Sequence, residues 1–399
     1  MFTADSLLIE LTARGVGEVT GVPCSYLTPL INRVASNDRV SYFPATHEGE
    51  AVAIAAGSWL AGAITCVISQ NSGLGNMVNP LTSLCHPCRI PVPMIVTWRG
   101  EPGVADEPQH ELLGAKTPDL LTLIGVGHSV LPSKPERLSA TVGLGWEAMQ
   151  RDELPYAFIL RGGSIAPEAL SETWSTGAAE SVVMGGRDRP RKCSRRIDAL
   201  DTLLSAVVDS AAIVSTTGKT SRELFTLADR PQHFYLVGAM GSASAVGLGV
   251  ARHTSTPVVV VDGDGASLMR MGTFATVGAA GPPSLIHILL DNQVHDSTGG
   301  QRTQAEYVNF PAVAAACGYR WVFDCADLLE FEFAVQRAQT TQGPVFIYLR
   351  IKPGSIENLG RPTVRPSDVA RRFRDFVKAS KAGWDTAQTM EEAHCIEQL

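Results

Sequence analysis

Two short polar clusters in the second half of the chain carry the clearest chemistry. The apolar run Pro257–Val261 leads into Gly263-Asp264-Gly265, and the run Leu285–Leu290 leads into Asp291-Asn292. A carboxylate at 264 and an amide oxygen at 292 are hard donors suited to Mg2+. The glycines permit close backbone approach to a ligand. The N–H groups of Gly265 and Ala266 open a helix, where phosphate is favoured. Alone, Gly-Asp-Gly is only a tight turn. Paired with Asn292, 292 − 264 = 28 positions later, it fits a diphosphate held by a divalent metal.

The elements that must position these clusters are strands and helices in alternation. Thr65–Ser69, Pro93–Thr97, Ala212–Ser215, Pro257–Val261, Leu285–Leu290 and Val345–Leu349 are short, continuous and apolar, as strands buried on both sheet faces should be. Alternation of this kind predicts parallel α/β sheets. Both polar clusters then fall at carboxyl ends of strands, where open sheets bind ligands. Adjacent strands would bring Asp264 and Asn292 together. Residues 162–196 break the pattern: Gly162-Gly163, Pro167, a Ser/Thr/Gly mixture at 174–177 and the polar run at 185–196 read as a linker. An amphipathic helix is expected over Ile197–Asp209. Two α/β domains follow, about 1–165 and 197–360, with a helical tail beyond.

Bulk properties narrow the partners. The chain has 399 residues, is 45% hydrophobic and 18% charged, and carries a net charge of −7. That balance disfavours nucleic acid, which needs clustered Lys and Arg. The N-terminus lacks a basic segment followed by an apolar run, and no stretch reaches 18 apolar residues. A soluble, cytoplasmic enzyme without signal peptide or membrane span is expected. The eight cysteines are scattered. Cys85 and Cys88 have CxxC spacing but no second ligand pair, so they read as ordinary thiols near a turn at Pro87. Gly218-Lys219-Thr220 resembles the end of a P-loop, but Ile213 stands where the first glycine is required. Gly247 and Gly249 lack the order of a dinucleotide fingerprint.

The two strand-end clusters resemble the signature of the thiamine-diphosphate enzymes. The resemblance implies metal ligation by Asp264, Asn292 and the backbone carbonyl of Val294. Asp291 is a departure, since many members carry Asn there. The stretch Thr46–Gly57 (THEGEAVAIAAG) resembles the family's helix whose glutamate protonates the cofactor pyrimidine. Glu48 matches that position, with Glu50 as the other candidate. Gly238-Ala239-Met240-Gly241 resembles the turn whose apolar residue wedges the cofactor, implying Met240. The implied cofactor-binding set is Glu48, Thr217, Gly218, Met240, Gly263, Gly265, Ala266, Val294 and Ser297, for thiamine diphosphate and Mg2+.

Longer stretches, among them GVPCSYLTPLIN (21–32), QNSGLGNMVNPLTSL (70–84), TWRGEPGVADEPQH (97–110) and TTGKTSRELF (216–225), are similar to the phosphonopyruvate decarboxylase branch, with sulfopyruvate decarboxylase as near relative. This implies two thiamine-diphosphate-binding-fold domains, each a parallel sheet flanked by helices, without a middle domain. They are a pyrimidine-binding domain at 1–165, a linker at 166–196, a diphosphate-binding domain at 197–360 and a helical tail at 361–399. The implied reaction takes 3-phosphonopyruvate to phosphonoacetaldehyde and CO2 through a cofactor adduct, a step in making phosphonate natural products. Half-sites in the family come from different subunits, which implies a homodimer or larger homo-oligomer. A doubly anionic substrate needs cationic donors. Ser25, Asn71, Arg99, Lys219 and Arg222 are the substrate candidates, with Arg302 in a further motif loop. His110 is favoured over His47 and His295 for proton transfer, beside Glu48. The remaining alternatives are a related 2-oxo acid decarboxylase or carboligase, or a non-catalytic cofactor-binding regulator.

Overall fold

The computed structural model describes residues 1–36, 39–171, 180–186 and 189–380. It divides into two compact units near residue 177. The mixture at 174–177, Cys395 and the tail beyond 380 lie outside the described residues.

In the first unit the strands are β1 (Val16–Gly21), β2 (Ser41–Pro44), β3 (Ile64–Gln70), β4 (Pro93–Thr97), β5 (Gly127–Val130) and β6 (Tyr156–Leu160). They form one sheet in the order β2-β1-β3-β4-β6-β5, every pair parallel. Every residue of β4 is buried, as the uninterrupted apolar sequence requires when helices cover both faces. Phe2, Leu7, Leu11, Leu27 and Phe158 anchor the core, each stabilising the fold by about 1.5–3 kcal/mol.

The second unit holds β7 (Val182–Gly185), β8 (Ala212–Ser215), β9 (His233–Tyr235), β10 (Val258–Gly263), β11 (Leu285–Asp291), a small hairpin of β12 (Val294–His295) and β13 (Gln301–Arg302), then β14 (Trp321–Cys325) and β15 (Val345–Arg350). Its main sheet runs β7-β14-β15-β11-β10-β8-β9, again all parallel. Phe274, His287, Tyr319 and Phe346 pack ring against ring beside it, with centroids 5.2–6.0 Å apart.

The linker, the limits of one helix and the turn at Pro87 need correction. The linker at 166–196 contains β7, which adds to the sheet edge by pairing with β14; its three exposed apolar side chains gave no buried-strand signal. The helix expected over Ile197–Asp209 runs Arg196–Ala206. The tail expected from 361 is helical over 366–380, where it packs Phe373 on Phe234 at 5.7 Å and Arg372 pairs with Asp229 at 2.6 Å. Cys85 and Cys88 are buried free thiols, and burial pushes that of Cys88 up to about 12. Pro87 lies inside a short helix, His86–Cys88, rather than in a turn.

Beneath that terminal helix, His233 is fully buried. Its Nδ1 lies 3.1 Å from the Ala228 carbonyl, and its Nε2 has no partner among the described residues. Burial lowers its pKa to about 4. The unfolded chain, with an ordinary imidazole near 6.5, binds the proton first as pH falls. Stability is therefore intact above about 6.5 and is lost towards pH 4, by roughly 3 kcal/mol from this residue. Thermal melts should show the wild-type protein losing more across that window than His233→Gln. Parallel losses would remove the buried imidazole as the cause.

Candidate active site

In the second unit β10 and β11 lie side by side, with Gly263 opposite Leu290. Asp264 and Asn292 therefore leave the sheet together at its carboxyl edge. A cleft of about 310 Å³ opens there. Its walls are the segments Thr216–Thr220 after β8, Gly263–Ala266 after β10 and Asn292–Thr298 after β11, except Gln293, with Arg196, Met240 and Leu290.

The loop after β11 is braced from within. Gln293 adopts a left-handed φ of +62°. Its N–H donates to Asp291 Oδ1 at 2.9 Å, and the Val294 N–H donates to Asn292 Oδ1 at 3.2 Å. Asp291, the departure from the family pattern, is buried behind the loop, where Tyr348 donates to Oδ2 at 2.6 Å. Met240 is presented between two left-handed residues, Ala239 at +53° and Gly241 at +87°. At alanine that conformation costs about 1–2 kcal/mol, so packing around the turn must hold it.

Asp264 is 3% exposed, and its carboxylate accepts from the Thr303 hydroxyl. Burial nevertheless pushes its carboxyl up to about 6, with Asp291 adding to the rise. A carboxylate so placed is suited to a counter-cation, which would restore its charged form. Two glycines keep the walls clear. A Cβ at Gly265 would come within 2.8 Å of the His295 ring, and one at Gly218 within 2.8 Å of Ser297 Oγ. Space, hard oxygens and walls formed by glycine backbone thus suit a metal-held diphosphate. Among the described residues no group of three or more His, Cys, Asp or Glu could hold a metal alone. A cation here needs oxygens from a ligand as well.

Every cofactor and metal candidate of the second unit lines this cleft: Thr217, Gly218, Met240, Gly263, Asp264, Gly265, Ala266, Asn292, Val294 and Ser297. So does His295. Two of the three cations proposed for substrate, Arg222 and Lys219, belong to this unit and have protein partners in it. Arg222 lines a neighbouring cavity and donates from Nη2 and Nε to the backbone carbonyls of Leu359 and Gly360, at 2.9 and 2.8 Å. Lys219 lies in the cleft wall but donates to Ser355 Oγ at 3.0 Å. Both residues pin the segment after β15. Arg302 is 85% exposed and pairs with Glu306 on the surface.

Sequence reading missed Arg196, Asp296 and Thr303. Asp296 and Thr303 follow Asn292 closely in the chain, where polar side chains near a metal loop could be noticed. Arg196 gave no signal, because it closes a basic stretch that looks like linker.

In the first unit Glu48 begins the helix Glu48–Leu60. Asn76 donates to its Oε2 at 2.7 Å, and a Cβ on Gly73 would come within 2.6 Å of its carboxyl carbon. Glu50 is fully buried, with Oε2 accepting from the N–H and hydroxyl of Thr46, both at 2.8 Å. Of the two carboxylates, half-buried Glu48 is the one a ligand can reach. His47 Nδ1 accepts from the Gly49 N–H at 3.0 Å, and His110 is buried at the end of the loop 98–110.

Asn71 and Arg99 hold each other by backbone. Asn71 donates to the Arg99 carbonyl at 2.8 Å and accepts from its N–H at 3.2 Å. The Arg99 guanidinium grips Asp106 and stacks 4.7 Å from the Tyr26 ring centroid. Nη1 donates to Ser25 Oγ at 3.0 Å. The guanidinium holds the Asp106 carboxyl well below the usual carboxylate range.

Residues 1–117 match the thiamine pyrophosphate enzyme N-terminal TPP binding domain, and 216–349 match the C-terminal TPP binding domain. A phosphonopyruvate decarboxylase of Streptomyces hygroscopicus is 56% identical over 94% of both chains. One from Streptomyces viridochromogenes is 55% identical over 97% of this chain and 98% of that protein. A sulfopyruvate decarboxylase of Methanosarcina acetivorans is 29% identical over 94% and 97%. Among solved structures, the thiamine diphosphate-dependent 4-hydroxybenzoylformate decarboxylase of Rhodococcus jostii RHA1 superposes with a TM-score of 0.70 at 14% identity. The superposition covers 89% of this chain and all of that one, a likeness of fold.

Proposed function

The chain belongs to the thiamine pyrophosphate enzymes, in the family of the phosphonopyruvate decarboxylases, and from that premise we propose that it converts 3-phosphonopyruvate to phosphonoacetaldehyde and CO2. The observation that carries the reading is the cleft where Asp264 and Asn292 emerge from neighbouring parallel strands. Asp264, Asn292 Oδ1 and the Val294 carbonyl would hold Mg2+ on the diphosphate, with the N–H groups of Gly265 and Ala266 beside it. Bound thiamine diphosphate supplies the electron sink for loss of CO2. Glu48 would hold and move a proton at the pyrimidine ring nitrogen. Met240 would set the cofactor's bend.

Arg99, Ser25 and Lys219 are the groups we assign to the substrate's anionic ends, and His110, His47 or His295 to the proton that completes the aldehyde. Arg222 and Asn71, the other two candidates, would act from behind: Arg222 donates to the Leu359 and Gly360 carbonyls, and Asn71 holds the Arg99 backbone. We further propose that the protein works as a homo-oligomer in the cytoplasm, in phosphonate biosynthesis. The described cysteines are all free thiols, as a reducing compartment favours. Among the described residues no helix is long and apolar enough to cross a membrane.

The test is CO2 release from phosphonopyruvate, sulfopyruvate and pyruvate, with and without thiamine diphosphate and Mg2+. Cofactor-dependent release fastest with phosphonopyruvate is expected. A preference for sulfopyruvate would move the substrate and keep the chemistry. Tight cofactor binding without release from any 2-oxo acid would overturn the enzymatic reading.

A further inference from the structure

Asn292 can offer a cation either its amide oxygen or its amide N–H2, and only the oxygen is a ligand. Asp296 is the side chain that decides between them, in concert with the Val294 N–H that donates to Oδ1 at 3.2 Å. Asn292 Nδ2 donates to Asp296 Oδ2 at 2.7 Å, which turns the amide oxygen the other way. We propose that Asp296 is the positioning residue of the metal site, orienting Asn292 and tying that site to the segment after β15. This rests on the metal-held diphosphate described above.

The surroundings of Asp296 are built for such a role. Its side chain is 10% exposed, and buried Arg196 donates to Oδ2. Arg196 also meets Glu223 Oε1 at 3.3 Å, in a side-chain cluster where Glu223 is 1% exposed. One guanidinium thus serves two buried carboxylates, an arrangement stable only with further donors. The Gly354 N–H supplies one, at 3.1 and 3.2 Å from the two Asp296 oxygens. Gly354 begins the segment that Lys219 and Arg222 pin at residues 355, 359 and 360. The Gly360 N–H adds a bond to Thr226 Oγ1 at 3.1 Å. A single carboxylate therefore joins the ligand loop, the start of the helix Arg196–Ala206 and the segment 354–360. Groups behind metal ligands commonly change affinity by about 10- to 100-fold when removed.

Mg2+ titrations at fixed thiamine diphosphate, followed by tryptophan fluorescence and calorimetry, test this in the wild-type protein and Asp296→Asn. The variant should bind Mg2+ at least ~10-fold more weakly. Hydrogen exchange at 354–360 should rise in parallel, and excess Mg2+ should restore turnover. A purely structural defect would not be rescued by metal. If Asp296→Asn fails to fold, Arg196→Lys, which keeps the charge but loses the forked donors, should give the same weakening. Unchanged Mg2+ affinity in a folded variant would overturn the inference while leaving the proposed function intact. Absence of Mg2+-dependent cofactor binding in the wild-type protein would overturn both.

Discussion

Glu48→Gln should lower turnover by at least ~10²-fold, the usual scale for a lost acid–base group, while leaving the fold and cofactor binding close to wild type. Glutamine has the same size, and its carbonyl oxygen can still accept from Asn76, which now donates to Glu48 at 2.7 Å. The variant therefore keeps the contact over Gly73 and loses only the charge and the exchangeable proton. Steady-state CO2 release, paired with cofactor titration, separates the two effects. Near-normal turnover in a variant that binds cofactor would sink the assignment and turn attention to Glu50, whose Oε1 is buried without a partner among the described residues.

Asp264→Asn should weaken Mg2+-dependent retention of thiamine diphosphate by more than ~100-fold, beyond the range for groups that only support a ligand. Two features make the loss large. The carboxylate is the one charged protein donor in the expected ligand set. Its buried setting also opposes ionisation, so that a cation and the charged carboxylate stabilise each other. The amide should fold at least as well as the wild-type protein without metal, because it no longer buries a reluctant acid. Higher apo stability with lost metal response is the expected pair of results. Unchanged metal response would show that the Gly263–Ala266 turn is structural only.

These predictions come from one unit each, and the sequence reached their residues by different routes. The strands at 93–97 and 212–215 have their expected limits, and the limits of four others move by only one or two residues, because runs buried on both faces are apolar without interruption. The metal loop was legible because its donors sit at strand ends, and strand adjacency is what parallel topology provides. The edge strand Val182–Gly185 escaped notice for the opposite reason: one neighbour and solvent leave little pattern to read.

What the sequence determined by itself was chemical capacity and its address: hard oxygens at 264 and 292, a helix-opening acid at 48, and glycines where a ligand must approach. These follow from residue type and from period, which are local. What only the tertiary structure decided was the use of each charge. Arg222 and Lys219 read alike with Arg99 as anion binders. In the fold Arg222 donates to two carbonyls more than 130 residues away, whereas Lys219 stands in the cleft wall beside Ser355 and Arg99 pairs with Asp106. Arg196, in a stretch that reads as linker, is buried between two acids. A cation's role is set by which acceptors lie within about 3 Å of it. For Arg222, Lys219 and Arg196 those acceptors come from segments distant in the chain, so the distinction existed only once the sheet and the segment after β15 had brought them together.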